Sequence, residues 1–361
     1  MITGNRTNFA IGASALAATM LLLSGCGSST SSTKAITISG AGSTAVKNLL
    51  DVCIPDYRKA TGTTVNYSGG GSGAGRAAFT AGTVDFAFSD APYGAAETKP
   101  SNFVYVPNVA FPVAVMVKLA GYTQNLNLSA KTISKIYAGA ITRWNDPAIV
   151  ADNASNAGAK LPATPITVWY RADKSGTTGV FTNWLTQNDP ATWTKPGSAG
   201  QQTFSSAFPG SSIPAGTFQS ASGSDGVANG VASKDGSIGY AETAYASARS
   251  LIVARVQNGA GAYLAPTSAA TAAFLNNFTP GAQGTIKVDP LSKVPDAYTL
   301  ASYSYGLAYG SGKDAAKQAA VKSFFTYVLT TCANNHATEK GYIPVVGGLG
   351  DLAKTQIATI G

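Results

Sequence analysis

The chain has 361 residues, which is long enough for two domains, and 45% of them are hydrophobic. This composition, with a mean hydropathy of +0.08, excludes a disordered chain. The formal net charge of +8 comes without any run of Lys and Arg interleaved with aromatic residues, so it favours anionic ligands and argues against a nucleic-acid partner.

Residues 1–25 are predicted to be a lipoprotein signal peptide. Arg6 supplies a basic start, the run 9–23 is apolar but short for a membrane span, and Leu23-Ser24-Gly25-Cys26 matches a lipobox. We therefore predict that Cys26 is the lipidated N-terminus of the mature protein and that 26–34 is a flexible tether. The alternative is an ordinary secretory signal with an incidental cysteine. Removing the signal lowers the formal net charge to +7.

The next segment is predicted to contain three strands that end in glycine-rich or polar turns. Their predicted ranges are 36–39, 63–67 and 84–89. Thr44 and Ser72 are placed at helix entrances, whose free N–H groups attract anions, and Asp90 follows the third strand at the edge where α/β proteins bind ligands. A flexible linker at 68–76 and an ordinary turn at Asp90 are the alternatives.

The segment 103–119 is apolar but is interrupted by Pro107 and Pro112. We predict two strands here, one leaving a first domain and one entering a second. A helix and turn are predicted over 132–144, and a buried strand over 165–170.

The turn 171–177 is the clearest candidate for an anion site. Gly176 lets the backbone approach a ligand closely, Ser175 and Thr177 add hydroxyl donors, and Arg171 adds a planar fork of donors suited to a phosphate or a carboxylate. Asp173 is expected to orient Arg171 through an ion pair, with a local helix cap as the alternative. The whole turn has a second interpretation, a strand-to-helix loop capped by Ser175 with Arg171 on the surface.

Later segments are predicted with less pattern. Residues 186–222, rich in Ser, Gly, Pro and Thr, are predicted to form a long surface insertion. The elements predicted after it are a helix at 225–231, a strand at 237–240, a strand at 297–309 that returns to the first domain, an amphipathic helix at 317–332 and a final helix at 352–360.

Cysteine and histidine usage limits the chemistry. Cys53 and Cys332 lie in predicted helices near the two ends of the mature chain. The sequence is compatible with a disulfide between them and equally with two buried free thiols. A single histidine, His336, with these cysteines does not make a zinc site, and no nucleophile elbow surrounds Ser175. We predict a binding protein without metal or cofactor, and not an enzyme.

Four motifs occur in the order found in the phosphate-binding proteins of bacterial ABC importers, the PstS family. They are Gly40-Ala41-Gly42-Ser43-Thr44, Gly71-Ser72-Gly73-Ala74-Gly75, Ser89-Asp90-Ala91-Pro92 and Arg171-Ala172-Asp173-Lys174-Ser175-Gly176-Thr177. The chain resembles this family from about Ile36 to its C-terminal region. The resemblance implies an α/β fold of the class II periplasmic-binding-protein type, with two lobes joined by two crossover strands and the ligand in the cleft. The implied domain I is 35–111 with 300–361, and domain II is 112–299.

The resemblance also implies high-affinity binding of inorganic phosphate and its delivery to the permease of a phosphate ABC transporter. The implied phosphate-binding residues are Thr44, Ala45 through its amide, Ser72, Asp90, Arg171, Ser175, Gly176 and Thr177. Ala45 and Lys174 depart from the bulkier residue and the glycine usual in the family. The implied protein is an extracytoplasmic, lipid-anchored monomer without a nucleic-acid partner.

The chemistry of a carboxylate suggests how such a site is selective. An ionised Asp90 accepts a hydrogen bond from a protonated phosphate, whereas fully ionised sulfate has no hydrogen to donate. Three alternatives stay open: a receptor for another tetrahedral oxyanion, an exported phosphomonoesterase and a surface-interaction protein.

Overall fold

The computed structural model describes residues 36–156, 160–195, 197, 199–281 and 283–361. The predicted signal peptide, Cys26 and the tether lie outside these residues. Within the described ranges, no helix combines the length and the apolar character needed to cross a membrane.

Helices and strands alternate through most of this part of the chain. The helices are α1 (Lys47–Thr61), α2 (Ser72–Thr80), α3 (Ala130–Tyr137), α4 (Pro147–Asp152), α5 (Gly176–Asn188), α6 (Phe204–Ala207), α7 (Gly223–Ser233), α8 (Thr243–Ser247), α9 (Ser268–Leu275), α10 (Ala315–Tyr327) and α11 (Gly347–Ala358), with a π-helical segment, Val328–Ala337, continuing α10. The strands are β1 (Thr37–Gly42), β2 (Thr64–Ser68), β3 (Phe86–Ser89), β4 (Phe103–Lys118), β5 (Asn127–Leu128), β6 (Thr167–Arg171), β7 (Phe218–Ala221), β8 (Ser237–Glu242), β9 (Ile252–Val253), β10 (Arg255–Gln257), β11 (Tyr263–Leu264), β12 (Ala301–Tyr309) and β13 (Ile343–Pro344).

The long strands form one mixed sheet in the order β2-β1-β3-β12-β4-β8-β6-β7, and β9 and β13 also pair with β4. Strands β2, β1 and β3 are parallel and form the first strand set, and β8, β6 and β7 are parallel and form the second. Between the two sets, β12 and β4 pair antiparallel with each other and with the neighbouring set. Because strands in a set are parallel, their carboxyl ends meet at one edge.

The prediction of two strands over 103–119 is wrong, because β4 is one strand of 16 residues. Its residues 103–112 pair with β12, and its residues 113–118 pair with β8. Pro107 lies beside a register shift opposite Ser304 and Tyr305, and Pro112 lies where the pairing partner changes. Proline is tolerated at such interruptions of a ladder, so it does not end the strand. The predicted boundary at 111/112 lies one residue before this exchange of partners, and the division into domains stays a prediction.

The prediction that 186–222 is a surface insertion is also wrong. The segment contributes β7, which pairs in parallel with β6 as the last strand of the sheet. Its aromatic residues Trp193, Phe204 and Phe208 are buried and contact one another in sequence along the segment. These aromatic residues are irregularly spaced among many Ser and Gly residues. The sequence pattern therefore does not indicate that the segment contributes to the core.

The two cysteines form a disulfide. Cys53 in α1 and Cys332 in the π-helical segment have Cα atoms 5.6 Å apart. Around the bond, α1 and α10 pack through aromatic rings, with Tyr57 5.2 Å from Phe324 between centroids. The structure therefore selects the disulfide over two buried thiols.

Candidate functional site

The carboxyl ends of both strand sets carry polar residues that meet in one buried cluster. The first set contributes Ser43 and Thr44 after β1, Ser72 after β2 and Asp90 after β3, and the second contributes the turn 171–177 after β6, Ser224 after β7 and Glu242 at the end of β8. Hydrogen bonds cross between the sets, since Thr44 Oγ1 lies 3.1 Å from Ser224 Oγ. A Cβ atom placed on Gly176 would lie 2.6 Å from Ser72 Oγ, so the turn 171–177 abuts the first set directly.

Asp90 is surrounded by serine hydroxyls. Ser43 Oγ lies 2.6 and 2.7 Å from its two carboxylate oxygens, Ser304 Oγ donates to Oδ1 at 2.8 Å, and Ser72 Oγ lies 3.2 Å from Oδ2. Burial raises the pKa of Asp90, and the net shift is upward although the bonds from these hydroxyls and the charge of Arg171 act in the opposite direction. A carboxylate has about four acceptor positions, so three serine donors leave room for a ligand hydrogen.

Arg171 provides the positive charge of the cluster, and its predicted ion pair with Asp173 is confirmed. Nε and Nη2 donate to the two carboxylate oxygens of Asp173 at 2.7 and 2.5 Å, and Nη1 donates to Ser224 Oγ at 3.2 Å. Burial lowers the pKa of Arg171, but the carboxylate of Asp173 outweighs it, so the net shift is upward. The guanidinium is buried and therefore not the surface arginine of the alternative interpretation.

The start of α5 supplies backbone donors. Ser175 caps the helix by accepting from the N–H of Thr178 at 3.1 Å, which leaves its hydroxyl hydrogen available to a ligand. Gly176 opens the first turn, and Thr177 Oγ1 lies 2.9 Å from Glu242 Oε1. Both the cap and the anion-site interpretations are thus compatible with this geometry, because a hydroxyl accepts and donates at once.

Besides Asp90, three predicted ligands come from the first strand set. Ser72 is the first residue of α2, which confirms its predicted place at a helix entrance and excludes a linker there. Thr44 Oγ1 accepts from the N–H of Ser224 at 3.2 Å. The amide of Ala45 donates to Ser43 Oγ at 3.0 Å, so in this structure it is bonded within its own turn.

Four residues of the cluster were not predicted from the sequence: Ser43, Ser224, Glu242 and Ser304. Ser224 lies near the start of a helix after a glycine, which is the signal that identified Ser72. Glu242 ends a strand, as Asp90 nearly does, but the predicted strand stopped two residues earlier. Ser304 lies in the middle of β12 and carries no local signal, because only the pairing of β12 with β3 brings it to Asp90.

Further contacts join the two strand sets beside the cluster. Lys174 Nζ pairs with Glu97, and Gly73 N–H donates to the carbonyl of Lys174 at 2.9 Å. Arg76 donates to Gln202 Oε1 at 2.7 Å and forms a two-pronged pair with Glu97. Lys174, which departs from the family pattern, therefore fits the turn and forms an ion pair with Glu97, which also pairs with Arg76 of α2.

The remaining chemistry is sparse in the part of the chain that the structure describes. No group of three or more His, Cys, Asp or Glu side chains is arranged to hold a metal there. His336 lies in the π-helical segment, where its Nε2 is 3.2 Å from Asp56 Oδ2. The cluster thus offers donors, one cation and two buried acids for binding an anion.

Comparison with known proteins supports this description. Residues 27–331 match the family model described as a PBP superfamily domain. The chain is 32% identical over 315 residues to the phosphate-binding protein PstS of Xylella fastidiosa (strain Temecula1), covering 87% of this chain and 82% of the relative. It is 31% identical over 370 residues to the phosphate-binding protein PstS 3 of Mycobacterium leprae, covering 94% and 95%.

A solved structure agrees in fold. A high affinity periplasmic phosphate-binding protein bound with phosphate superposes with a TM-score of 0.70 at 25% identity, covering 89% of this chain and 93% of the other. The predicted two-lobed α/β periplasmic-binding-protein fold is thereby confirmed. The relatives are named as binding proteins, which agrees with the prediction that the chain is not an enzyme. The chain belongs to the PBP superfamily and, within it, to the PstS family of phosphate-binding proteins.

Proposed function

We propose that this chain binds inorganic phosphate outside the cytoplasm and delivers it to the permease of an ABC-type phosphate importer. The observation that carries the proposal is the buried cluster in which Asp90, Arg171 and the start of α5 meet. A helix N-terminus, a guanidinium and several hydroxyls are donors suited to a tetrahedral oxyanion. The names of the relatives point to the same ligand.

The proposed ligands are Thr44, Ala45, Ser72, Asp90, Arg171, Ser175, Gly176 and Thr177, and the list is supported by their convergence on one cluster. The arrangement around Asp90 supports selectivity for phosphate. Its serine donors favour the ionised carboxylate, which accepts a hydrogen from protonated phosphate and repels sulfate.

The test is isothermal titration calorimetry of the purified, ligand-stripped protein with phosphate and then with sulfate. We expect tight binding of phosphate and no measurable heat from sulfate. Tighter binding of sulfate would assign the cluster to a different oxyanion, and silence with both anions would contradict an anion site. A phosphatase assay with a chromogenic monoester serves as a control and is expected to show no turnover.

For location, we propose an extracytoplasmic monomer attached to the membrane through lipidated Cys26. The lipobox and the following Gly/Ser/Thr-rich segment support the anchor. Full-length protein is expected to partition into the detergent phase and to carry acyl chains by mass spectrometry, whereas C26S is expected to stay in the aqueous phase. Equal partitioning of the two proteins would contradict lipidation at this residue.

A further inference from the structure

Glu242 occupies a place in the second strand set that corresponds to the place of Asp90 in the first. Strands β3 and β8 are the inner members of their sets, next to β12 and β4 respectively. Asp90 directly follows β3, and Glu242 is the last residue of β8. Both side chains are buried, so each half of the sheet delivers one carboxyl group to the same cluster.

The two carboxyl groups have different surroundings. Asp90 lies within hydrogen-bond distance of three serine hydroxyls, which stabilise a charged carboxylate. Glu242 has two hydroxyls beside it, that of Thr177 at 2.9 Å from Oε1 and that of Ser224, and its Oε2 is buried and makes no hydrogen bond among the described residues. An ionised carboxylate that is buried with one oxygen unpartnered carries a large desolvation cost, whereas a neutral acid carries far less.

The charges around Glu242 also disfavour its ionised form. Asp90 repels it, and the guanidinium of Arg171 is already paired with both oxygens of Asp173. Tyr245 and Tyr342 face it as neutral phenols, since burial raises the pKa of both. Burial raises the pKa of Glu242 and the charge of Asp90 adds to the rise, while the Ser224 hydroxyl, the backbone of Glu242 and the charge of Arg171 oppose it, and the net shift is upward. An anion entering the cluster would add a further negative charge.

The contact between Thr177 and Glu242 decides where one hydrogen goes. Thr177 Oγ1 has a single hydrogen and lies 2.9 Å from Glu242 Oε1. If Glu242 were ionised, that hydrogen would point to the carboxylate and the hydroxyl could offer a ligand only lone pairs. If Glu242 is a neutral acid, its own O–H donates to Thr177 Oγ1 and the threonine hydrogen is released toward the ligand.

We propose that Glu242 is held as a neutral carboxylic acid whose O–H donates to Thr177 Oγ1, so that the Thr177 hydroxyl points its hydrogen at the bound anion. Glu242 is thus a positioning residue that acts through Thr177. The inference rests on the proposed phosphate function for the identity of the anion, but the protonation state of Glu242 is a property of the protein alone. The site then pairs one ionised and one neutral acid, which is how two carboxyl groups acquire different roles.

The first experiment is infrared spectroscopy of the full-length protein at neutral pH, which detects the carbonyl stretch of a protonated carboxylic acid. We expect this band in the unmodified protein, its loss in E242Q and its retention in E339Q, the control, which changes a glutamate whose side chain is 60% exposed. A spectrum in which E242Q keeps the whole band overturns the proposal. Thermal unfolding of each variant confirms that a change in the band reflects the substituted group in a folded protein.

The second experiment follows the same band and phosphate affinity as the pH is raised. A raised pKa keeps Glu242 neutral below it, so its help to binding is present at low pH and is lost as the pH rises through that value. Across the pH at which the band disappears, we expect the affinity of the unmodified protein to fall by about tenfold or more relative to E242Q. Parallel affinity profiles across that pH overturn the hydrogen bond to Thr177. Failure of the unmodified protein to bind phosphate would contradict the proposed function, while the infrared comparison would still report on Glu242.

Discussion

Asp90 illustrates how a single residue acquires its function from its neighbours. Its carboxylate accepts from hydroxyls that come from three different segments: Ser43 after β1, Ser72 at the start of α2 and Ser304 within β12. These donors stabilise its charge in a buried place where an isolated carboxylate would be costly. A ligand that brings its own hydrogen completes the set of bonds, and a ligand without one meets an unscreened negative charge.

We expect D90N to reduce the preference for phosphate over sulfate by at least about tenfold. The amide removes the negative charge and offers N–H donors that a fully ionised oxyanion can accept. Competition calorimetry with both anions measures the ratio. D351N, which changes an exposed aspartate of α11, is the control and is expected to leave the ratio as it is. The same ratio in D90N and the unmodified protein would remove Asp90 from the basis of selectivity.

At the scale of elements, the first turn of helix α5, in the second strand set, packs directly against residues of the first set. Gly176 faces the first set so closely that a Cβ atom would lie 2.6 Å from Ser72 Oγ and 2.7 Å from Asp90 Cβ. The φ angle of Gly176 is not among the positive ones, so space rather than backbone conformation requires the glycine. The absence of a side chain here permits the two halves of the cluster to touch.

We expect G176A to weaken phosphate binding by about tenfold or more, because overpacking of this kind costs about 1–3 kcal/mol and acts where the strand sets meet. G348A is the matched control, since its Cβ would meet no atom within 4 Å and its φ is also not positive. Calorimetry of the three proteins measures the effect. Equal affinities for G176A and G348A would show that the cluster accommodates a methyl group at Gly176 without loss of binding.

The ion pairs of Glu97 join α2 to the turn 171–177. Arg76, Lys174 and the N–H of Gly94 donate to its carboxylate, and these bonds outweigh burial and lower its pKa to about 2. A lowered pKa means that the stabilisation is complete above the ordinary value near 4.5 and is lost as the pH falls toward about 2.

Acid should therefore destabilise the unmodified protein more than E97Q, which lacks this titrating group. Thermal unfolding at neutral pH and again near the lowered pKa of Glu97 gives, for each protein, the fall in melting temperature caused by acid. E339Q, at a glutamate whose side chain is 60% exposed, is the control and is expected to follow the unmodified protein. A decline of E97Q as steep as that of the unmodified protein would contradict the assignment.

At the scale of the whole molecule, the disulfide joins the two ends of the described chain. Cys53 and Cys332 are separated by 279 positions, and the bond ties the first helix to the segment that follows α10. A crosslink that closes a long loop restricts the unfolded chain most. Neither cysteine is among the residues of the anion cluster, so the bond is expected to serve stability.

We expect reduction of the disulfide to lower the free energy of unfolding by about 2–4 kcal/mol. Chemical denaturation with and without a reductant measures the difference. The C53A/C332A variant is expected to be destabilised likewise and to show no further response to reductant, and it should still bind phosphate. A reductant effect of equal size in the variant would assign the loss to something other than this bond.

The local sequence pattern predicted the structure correctly where a single turn decides it. Glycines and hydroxyls after a β-branched run predicted helix starts at Ser72 and within the turn 171–177, because helix entry is decided by neighbouring residues. The family resemblance carried by these turns implied the α/β class. Where the hydrophobic pattern is interrupted, the predictions were wrong. Two prolines led to the prediction of two strands where β4 is continuous, and a Ser-rich composition led to the prediction of a surface insertion where the segment ends in β7.

The tertiary structure alone decided what lies across from each turn. Ser304 reaches Asp90 through the antiparallel pairing of β12 with β3, over a separation of 214 residues. Ser224 reaches Thr44, and Glu242 reaches Thr177, only because β7 and β8 join β6 in a parallel set. Residue types and turns are local properties, so the sequence predicts which hydrogen-bond donors exist. Strand order and register are long-range properties. They decide which donors meet, and they leave Glu242 Oε2, but neither oxygen of Asp90, without a hydrogen bond among the described residues.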